Sequence, residues 1–461
     1  MQGKYQAYSE YKESGSQWVD EIPTNWKVLS LKHILSIPIT DGPHSTPTFL
    51  DEGVPFVSAE AVSGGYINFN KIRGYISEAD DVLFSQKYRP QRNDVYMIKS
   101  GATTGITAIV ETDERFNIWS PLAVMRCKNN YSPYFLLYYL RSESFQKSVQ
   151  LSWTFGTQQN IGMGTLENLT VCLPSIEEQE NIANFLGCET AKIDTLIEKQ
   201  QRLVELLKEK RQAVISHAVT KGLNPKAPMR DSGVEWLGDV PEHWIVCRLK
   251  QIIKSGSSIS YGIVQPGEPL DEGVPFVQTT NMSQGTFELD DLQKTTTEIA
   301  RAYPRSTLVG GEVILGIRAS IGAAYVVPEK FKGYNLSRGV ARIIPNSRIL
   351  SGYLVSYFGT GAVDRYWGLS KQGSTFSEVS IETVKELFLP VPPVEEQKLI
   401  YQWIEEKVSR INKIIDQAME QTSLLKERRT ALISAVVTGK IDVRNWQAPE
   451  SSNTNSKEVA A

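Results

Sequence analysis

Very little in this sequence can form a disulfide or hold a metal. The cysteines Cys127, Cys172, Cys188 and Cys247 are scattered through 461 residues, with no C-x-x-C pair and no histidine at ligand spacing. That excludes a zinc site and a disulfide framework and reads as reduced thiols. No apolar run approaches the roughly 18 residues needed to cross a bilayer. The polar start from Met1 to Ser16 is not a secretory signal, so a cytoplasmic location is expected. Phosphate loops, H-E-x-x-H pairs, G-x-S-x-G elbows, Gly-rich dinucleotide fingerprints and the N-P-P-F or D-P-P-Y sequences of amino-methyltransferases are all absent. Catalysis by this chain, and a cofactor or metal bound to it, are therefore not expected. Excess charge is lacking too: 49 basic against 52 acidic residues leave a formal net charge of -3. This excludes a uniformly positive coat but leaves room for local basic surfaces.

What is present is a sequence written twice. The length suggests two folded units with connectors, and 41% apolar with 22% charged residues is ordinary for a globular chain. Motifs recur in the same order at an offset of about 218 residues. Trp18 to Trp26, with Pro23 between, returns as Trp236 to Trp244 around Pro241. Asp51 to Val57 returns unchanged as Asp271 to Val277, and Ala102-Thr-Thr-Gly105 matches Ala319-Ser-Ile-Gly322. Pro174 to Gln179 matches Pro392 to Gln397, and Leu206 to Arg211 matches Leu424 to Arg429. Between these motifs the halves diverge, as in Arg73 to Arg92 against Lys294 to Arg305. One scaffold thus carries two different surfaces.

The first part of each half holds short β-branched and aromatic runs broken by Gly, Pro, Asn and Asp, such as Val54 to Ser58, Val95 to Lys99 and Ile106 to Val110. Shorter helical candidates, Pro133 to Ser148 and Ile349 to Gly359, lie among them. The expected fold class is mixed α/β (α+β) and β-rich. Beyond Pro174 and Pro393 the chain turns helical: prolines precede each helix, paired glutamates open it, and Gly222 and Gly439 close it. Ile182, Leu186, Ile193, Leu196, Leu203, Leu207 and Val214 form an apolar stripe, repeated by Ile400, Ile404, Ile411, Ile414, Leu425 and Leu432. About 40 helical residues make a rod of roughly 60 Å. Two equivalent helices bury their stripes most simply by packing antiparallel, giving a dumbbell with a pseudo-two-fold axis.

Individual polar residues carry less information than groups. His44 and His217 have no evident partner and receive no role, and the Trp-Pro-Trp segments read as packing clusters. From Arg301 to Arg342 the second half gathers Arg301, Arg305, Arg318, Lys330, Lys332, Arg338 and Arg342 against only Glu312 and Glu329. The first half offers Lys71, Arg73, Lys87, Arg89, Arg92 and Lys99, diluted by acids. Basic side chains neutralise phosphates and read guanine, while Asn and Gln fit adenine. Gln158, Gln159 and Asn160 are thus base-reading candidates. Thr103, Thr104, Ser320, Lys371, Gln372 and Ser374 complete the group expected to touch DNA.

These segments resemble the specificity subunit of type I restriction-modification systems from Trp18 to about Val443. Ser232 to Trp244 is close to the way that family opens a target-recognition domain, and Leu173 to Gln179 and Val391 to Gln397 to the way it enters its conserved helices. The resemblance implies target-recognition domains over 17–174 and 232–392 and conserved helices over 175–222 and 393–440; the polar tail over 446–461 lies beyond the likeness and is expected to be disordered. Each domain would read half of a split double-stranded DNA target. The helices would dock two modification subunits, which use S-adenosylmethionine to methylate adenine, and two restriction subunits using ATP and Mg would complete the assembly. A two-domain coiled-coil scaffold that binds only proteins is the alternative.

Overall fold

The computed structural model describes residues 5–155, 159–282, 292–370 and 378–448. Contacts divide the chain into two units, one made of residues 1–200 and 420–461 and the other of residues 201–419. Two long helices, Ile176–Lys221 and Val394–Val437, contribute to both.

The duplication read in the sequence is a duplication of topology. In the first unit Thr40–Asp41, Leu122–Met125, Val95–Ile98 and Thr107–Ile109 form an antiparallel four-stranded sheet in that order. In the second, Ser260–Tyr261, Val340–Ile343, Val313–Gly316 and Ala324–Val326 repeat it. A three-stranded sheet places Val54–Val57 between antiparallel Tyr75–Ile76 and parallel Asn117–Ile118, and Val274–Val277 between Lys294–Thr295 and Asn335–Leu336. The central strands, Val95–Ile98 and Val313–Gly316, are buried along their whole length and correspondingly apolar. A two-stranded clasp joins the start of each β-rich lobe to the strand before its long helix: Lys27–Ser30 with Thr170–Leu173, and Ile245–Arg248 with Phe388–Val391.

The helix segment foreseen over 133–148 is two helices, Pro133–Leu140 and Glu143–Leu151. Ser142 stops the first and caps the second by accepting from Phe145 N–H, and hydroxyl capping favours a new start over continuation. The counterpart helix runs Ser351–Phe358.

The motif opening each long helix is a lock as well as a charge cluster. Gln179 accepts from the Ser132 N–H (2.9 Å) and donates to the Pro174 carbonyl (3.0 Å). Gln397 does the same with Leu350 (2.8 Å) and Pro392 (2.8 Å), and both glutamines are buried. Each thus ties a helix start to its own lobe. Glu178, also buried, accepts from Tyr8 (2.6 Å) and from Trp26 Nε1 (3.0 Å). Burial and that carboxylate push the Tyr8 hydroxyl far above the tyrosine range. Trp26 and Trp244 are buried, the packing role expected of the Trp-Pro-Trp segments.

Each long helix ends on the opening segment of the other repeat. Gly222 closes the first helix in the left-handed region (φ 77°), where a Cβ would stand 3.2 Å from Trp244. Gly439 closes the second at the same φ, where a Cβ would meet Pro23 at 2.3 Å, so glycine is required twice over. In the first unit the chain beyond Gly439 pairs with the chain before Tyr8, Gln6 bridging Asp442. Phe185 packs edge-on against both Tyr5 and Trp446.

The helices bring their residues together in reverse order, Asp194 with Arg429 (2.8 Å) and Arg211 with Asn412 (2.8 Å). Ile182, Leu186, Ile193, Ile400, Ile404, Ile411 and Leu432 are buried as expected, with Leu207, Val214 and Leu425 half-buried. Leu196, Leu203 and Ile414 are corrections: they are exposed, while Ile197 and Ile415 turn inward. The expected three-residue steps after Ile193 and Ile411 are four-residue steps, since an α-helix advances 3.6 residues per turn.

Candidate nucleic-acid interface

The first unit gathers its polar groups around a carboxylate that the sequence left unremarked. Asp41, at the edge of the four-stranded sheet, is fully buried and pairs with Lys87. Lys99 Nζ and His44 Nε2 each stand 3.2 Å from its other oxygen. Burial alone would raise the Asp41 pKa, but the Lys87 and Lys99 ammoniums outweigh it and hold the carboxyl below its usual range. Lys87 is half-exposed and His44 mostly exposed, so this anchored cluster still presents an ammonium and an imidazole to solvent. Gly42 makes the close fit possible, because a Cβ there would lie 2.0 Å from the Ile118 carbonyl. The exposed loop that follows, with His44, Ser45, Thr46 and Thr48, is held by the Ser120 N–H donating to Pro43 O (3.2 Å). Next to it Arg73 lies over the Trp119 ring at 4.9 Å.

The backbone of Lys99 joins this cluster to the polar loop that follows. Ile161 N–H donates to Lys99 O (2.9 Å), Gly101 N–H donates to Gln159 O (3.0 Å), and Ser100 bridges Asn160. Thr104 Oγ1 closes the turn by donating to Gly101 O (2.7 Å), with Thr103 half-buried beside it. Lys87, Lys99, Thr103, Thr104, Gln159 and Asn160 are thus brought together, and Gln158 lies outside the described residues. Arg89 is exposed close by in sequence. Arg92 is half-exposed and ion-paired, its guanidinium gripping Asp113 through Nε (3.0 Å) and Nη2 (2.7 Å).

In the second unit the same backbone positions carry other chemistry. Tyr261, half-exposed, stands where Asp41 does, and buried Ile317 stands where Lys99 does. Gly262 repeats Gly42, with a Cβ position 1.8 Å from the Leu336 carbonyl. The bridge made by Ser100 and Asn160 is made here by Arg318 and Glu378, whose side chains form an ion pair. Arg318 is therefore committed rather than free, and it holds the Glu378 carboxyl below its ordinary range, with Arg338 helping. Ser320 donates to Thr279 O (3.1 Å). Arg301, Arg305 and Arg338 are exposed, whereas Arg342 leaves the expected basic face: it is buried and bonded to Glu312 (3.2 Å). Lys371, Gln372 and Ser374 lie outside the described residues.

Sequence reasoning missed Asp41, Glu378 and the use of His44. The available signal was an Asp-Gly-Pro-His run in one repeat aligned with Tyr-Gly-Ile-Val in the other. Among the described residues no group of three or more His, Cys, Asp or Glu could hold a metal ion, and no helix is long and apolar enough to cross a membrane. All four cysteines are unpaired.

Comparison with known proteins agrees with this architecture. The profile of the type I restriction modification DNA specificity domain matches residues 23–206 and again 241–421. A putative type I restriction enzyme MjaX specificity subunit of Methanocaldococcus jannaschii is 25% identical over 94% of this chain and 98% of its own. The type I restriction enzyme EcoBI specificity subunit of Escherichia coli is 25% identical over 63% of this chain and 62% of its own. A solved chain from work on complex assembly and conformational transition of the type I R-M system superposes with a TM-score of 0.68 at 17% identity, covering 91% of this chain and 99% of that one. The HsdS subunit of Thermoanaerobacter tengcongensis gives 0.51 at 18% identity, covering 91% and 98%.

Proposed function

The chain belongs to the type I restriction modification DNA specificity family, as a non-catalytic specificity subunit, and from that premise we propose that each unit reads one half of a split double-stranded DNA target. The observation that carries this is the substitution of side chains on an unchanged backbone: Asp41, Lys99, Ser100 and Asn160 in one unit, Tyr261, Ile317, Arg318 and Glu378 in the other. Two copies of one scaffold bearing different polar groups suit an asymmetric target, with the half-sites set apart by the protein. Exposed Lys87, Arg73, Arg89, Arg301, Arg305 and Arg338 supply phosphate contacts. Thr103, Thr104, Gln158, Gln159, Asn160, Ser320, Lys371, Gln372 and Ser374 are the groups within which base contacts fall.

The long helices keep apolar side chains in solvent, among them Leu196, Leu206, Met419 and Leu424. Such positions support docking of two modification subunits that methylate adenine, with two restriction subunits completing a cytoplasmic complex. S-adenosylmethionine, ATP and Mg belong to those partners. The test is to map methylated bases genome-wide in the source cell with and without this gene. Loss of adenine methylation at one split motif, two short blocks around a fixed gap, is expected. Unchanged methylation together with failure to co-purify with a methyltransferase overturns the proposal.

A further inference from the structure

The first unit contains a cleft of about 790 Å³, within the size range of small-ligand sites. One wall is made by residues 64–66 and 104–107, the other by the long helices. Arg141 forms part of its lining. Its Nε donates to Thr107 Oγ1 (3.1 Å) and its Nη2 to the carbonyls of Gly65 (2.6 Å) and Thr107 (3.0 Å). Those bonds fix the guanidinium plane and leave Nη1 uncommitted. Burial, and the Arg429 guanidinium next, pull the Arg141 pKa down to about 10. Two like charges therefore share a partly desolvated space, an arrangement relieved by an anion. Lys426, exposed at the rim, adds a third cation. Of the two acids present, Asp194 is committed to Arg429 (2.8 Å), and Glu198 is exposed to solvent.

Among the described residues, the second unit keeps Lys208 and Arg211 at the positions of Lys426 and Arg429 but has no counterpart of Arg141. Gly359 stands where Arg141 does, and Gln212, standing where Thr430 does, donates to the Gly359 carbonyl and bridges the corresponding space. Asn412 replaces Asp194 as partner of the equivalent arginine, Arg211. Among the described residues, the pairing of Arg141 with Arg429 belongs to the first repeat.

We propose that this cleft is a phosphate-binding site in which Arg141, Arg429 and Lys426 hold one phosphate group, supplied by the backbone of bound DNA or by free phosphate. Paired guanidiniums offer the fork geometry that matches phosphate oxygens, and the lysine adds a mobile point charge. Thr104 and the turn at Gly105 line the cleft on one side and belong to the polar loop of the candidate interface on the other. A DNA strand crossing that loop therefore passes the mouth of the cleft. The DNA form of the proposal rests on the function proposed above; the free-phosphate form does not.

The test uses the full chain, alone and with its modification subunits, as wild type, Lys426→Ala and Thr430→Gln. The last places the second unit's closing residue in the first unit's cleft, and both substituted side chains are exposed. Inorganic phosphate is titrated calorimetrically into the chain, and duplex affinity of the complex is measured across a salt series. Phosphate binding by wild type that both variants lose assigns the site to a free anion. A salt dependence lowered by about 0.9 in log–log slope for Lys426→Ala, with the preferred motif unchanged, assigns it to a DNA phosphate. No phosphate binding and an unaltered slope overturn the proposal. Absence of salt-dependent duplex binding in the wild-type complex defeats the reading of function instead, and the phosphate titration still decides the cleft.

Discussion

In the first unit, charge at the candidate interface is concentrated on Asp41 and Lys99, and the neighbouring bridge between Ser100 and Asn160 is neutral. In the second, the positions of Asp41 and Lys99 hold Tyr261 and Ile317, and the bridge has become the ion pair of Arg318 and Glu378. The basic member of the pair has moved one residue along the chain and its acidic partner to another segment, while a backbone hydrogen bond beside them recurs: Ile161 N–H to Lys99 O is matched by Val379 N–H to Ile317 O, both 2.9 Å. The exchange reaches into the packing as well as the surface, since Asp41 is buried among its cations and Ile317 joins the apolar core of the second unit, while the bridge residues beside them lie in loops. Recognition can thus diverge between repeats without altering the fold.

The sharpest break comes from a residue the two units share. Gly42→Ala and Gly262→Ala force a Cβ to about 2 Å from a carbonyl oxygen, and each is expected to cost about 3 kcal/mol or more. Hydrogen exchange resolved by peptide should show the loss confined to the unit that carries the substitution; equal loss in both would mean that the units do not unfold separately.

Arg318→Ser combined with Glu378→Asn gives the second unit the bridge of the first. The expected result is altered base preference in one half of the target, of the order of 1–3 kcal/mol per base contact, with the other half kept. Methylation mapping in cells reads this directly, and an unchanged motif would remove the ion pair from recognition.

Trp26 and Trp244 offer a finer contrast. Trp26 Nε1 donates to buried Glu178, whereas Trp244 Nε1 is buried with no hydrogen-bond partner among the described residues. Trp26→Phe should therefore cost about 1 kcal/mol more than Trp244→Phe, measured by urea unfolding.

The smallest effect is one of acid stability. Because the folded-state pKa of Asp41 is lowered, its contribution is fully present above the unfolded value of about 3.9 and is lost as pH falls through the lower folded value. Thermal unfolding between pH 6 and pH 3 should show a shallower acid decline for Asp41→Asn in the first unit. Glu378, lowered by Arg318, should give the same result for Glu378→Gln in the second.

The duplication and the two long helices were legible because they are written as repeats, prolines and glycines that need no knowledge of distant contacts. The helix stripes were legible only to the nearest turn, since Leu196 and Ile197 are both apolar and only packing decides which faces inward. Lys87 and Lys99 were picked out by charge, yet what organises them, Asp41, lies far away in sequence and meets them only after the sheet forms. Arg92, Arg318 and Arg342 looked alike as basic residues, and their acidic partners Asp113, Glu378 and Glu312 separate them from the exposed cations. The glutamines Gln179 and Gln397 appeared only as parts of a repeated motif, because a bond to a backbone N–H leaves no trace in composition.

The bridge between Gln6 and Asp442 has a consequence for the order of synthesis. The second unit is drawn from one unbroken stretch, residues 201–419, and all of it has left the ribosome while the first unit still lacks its helix partner. Tyr8 and Phe185 are made before the stretch of the second unit but meet Arg444 and Trp446 only after it. The repeat translated first is thus the one completed last, and until then its apolar helix face depends on whatever else in the cell will cover it.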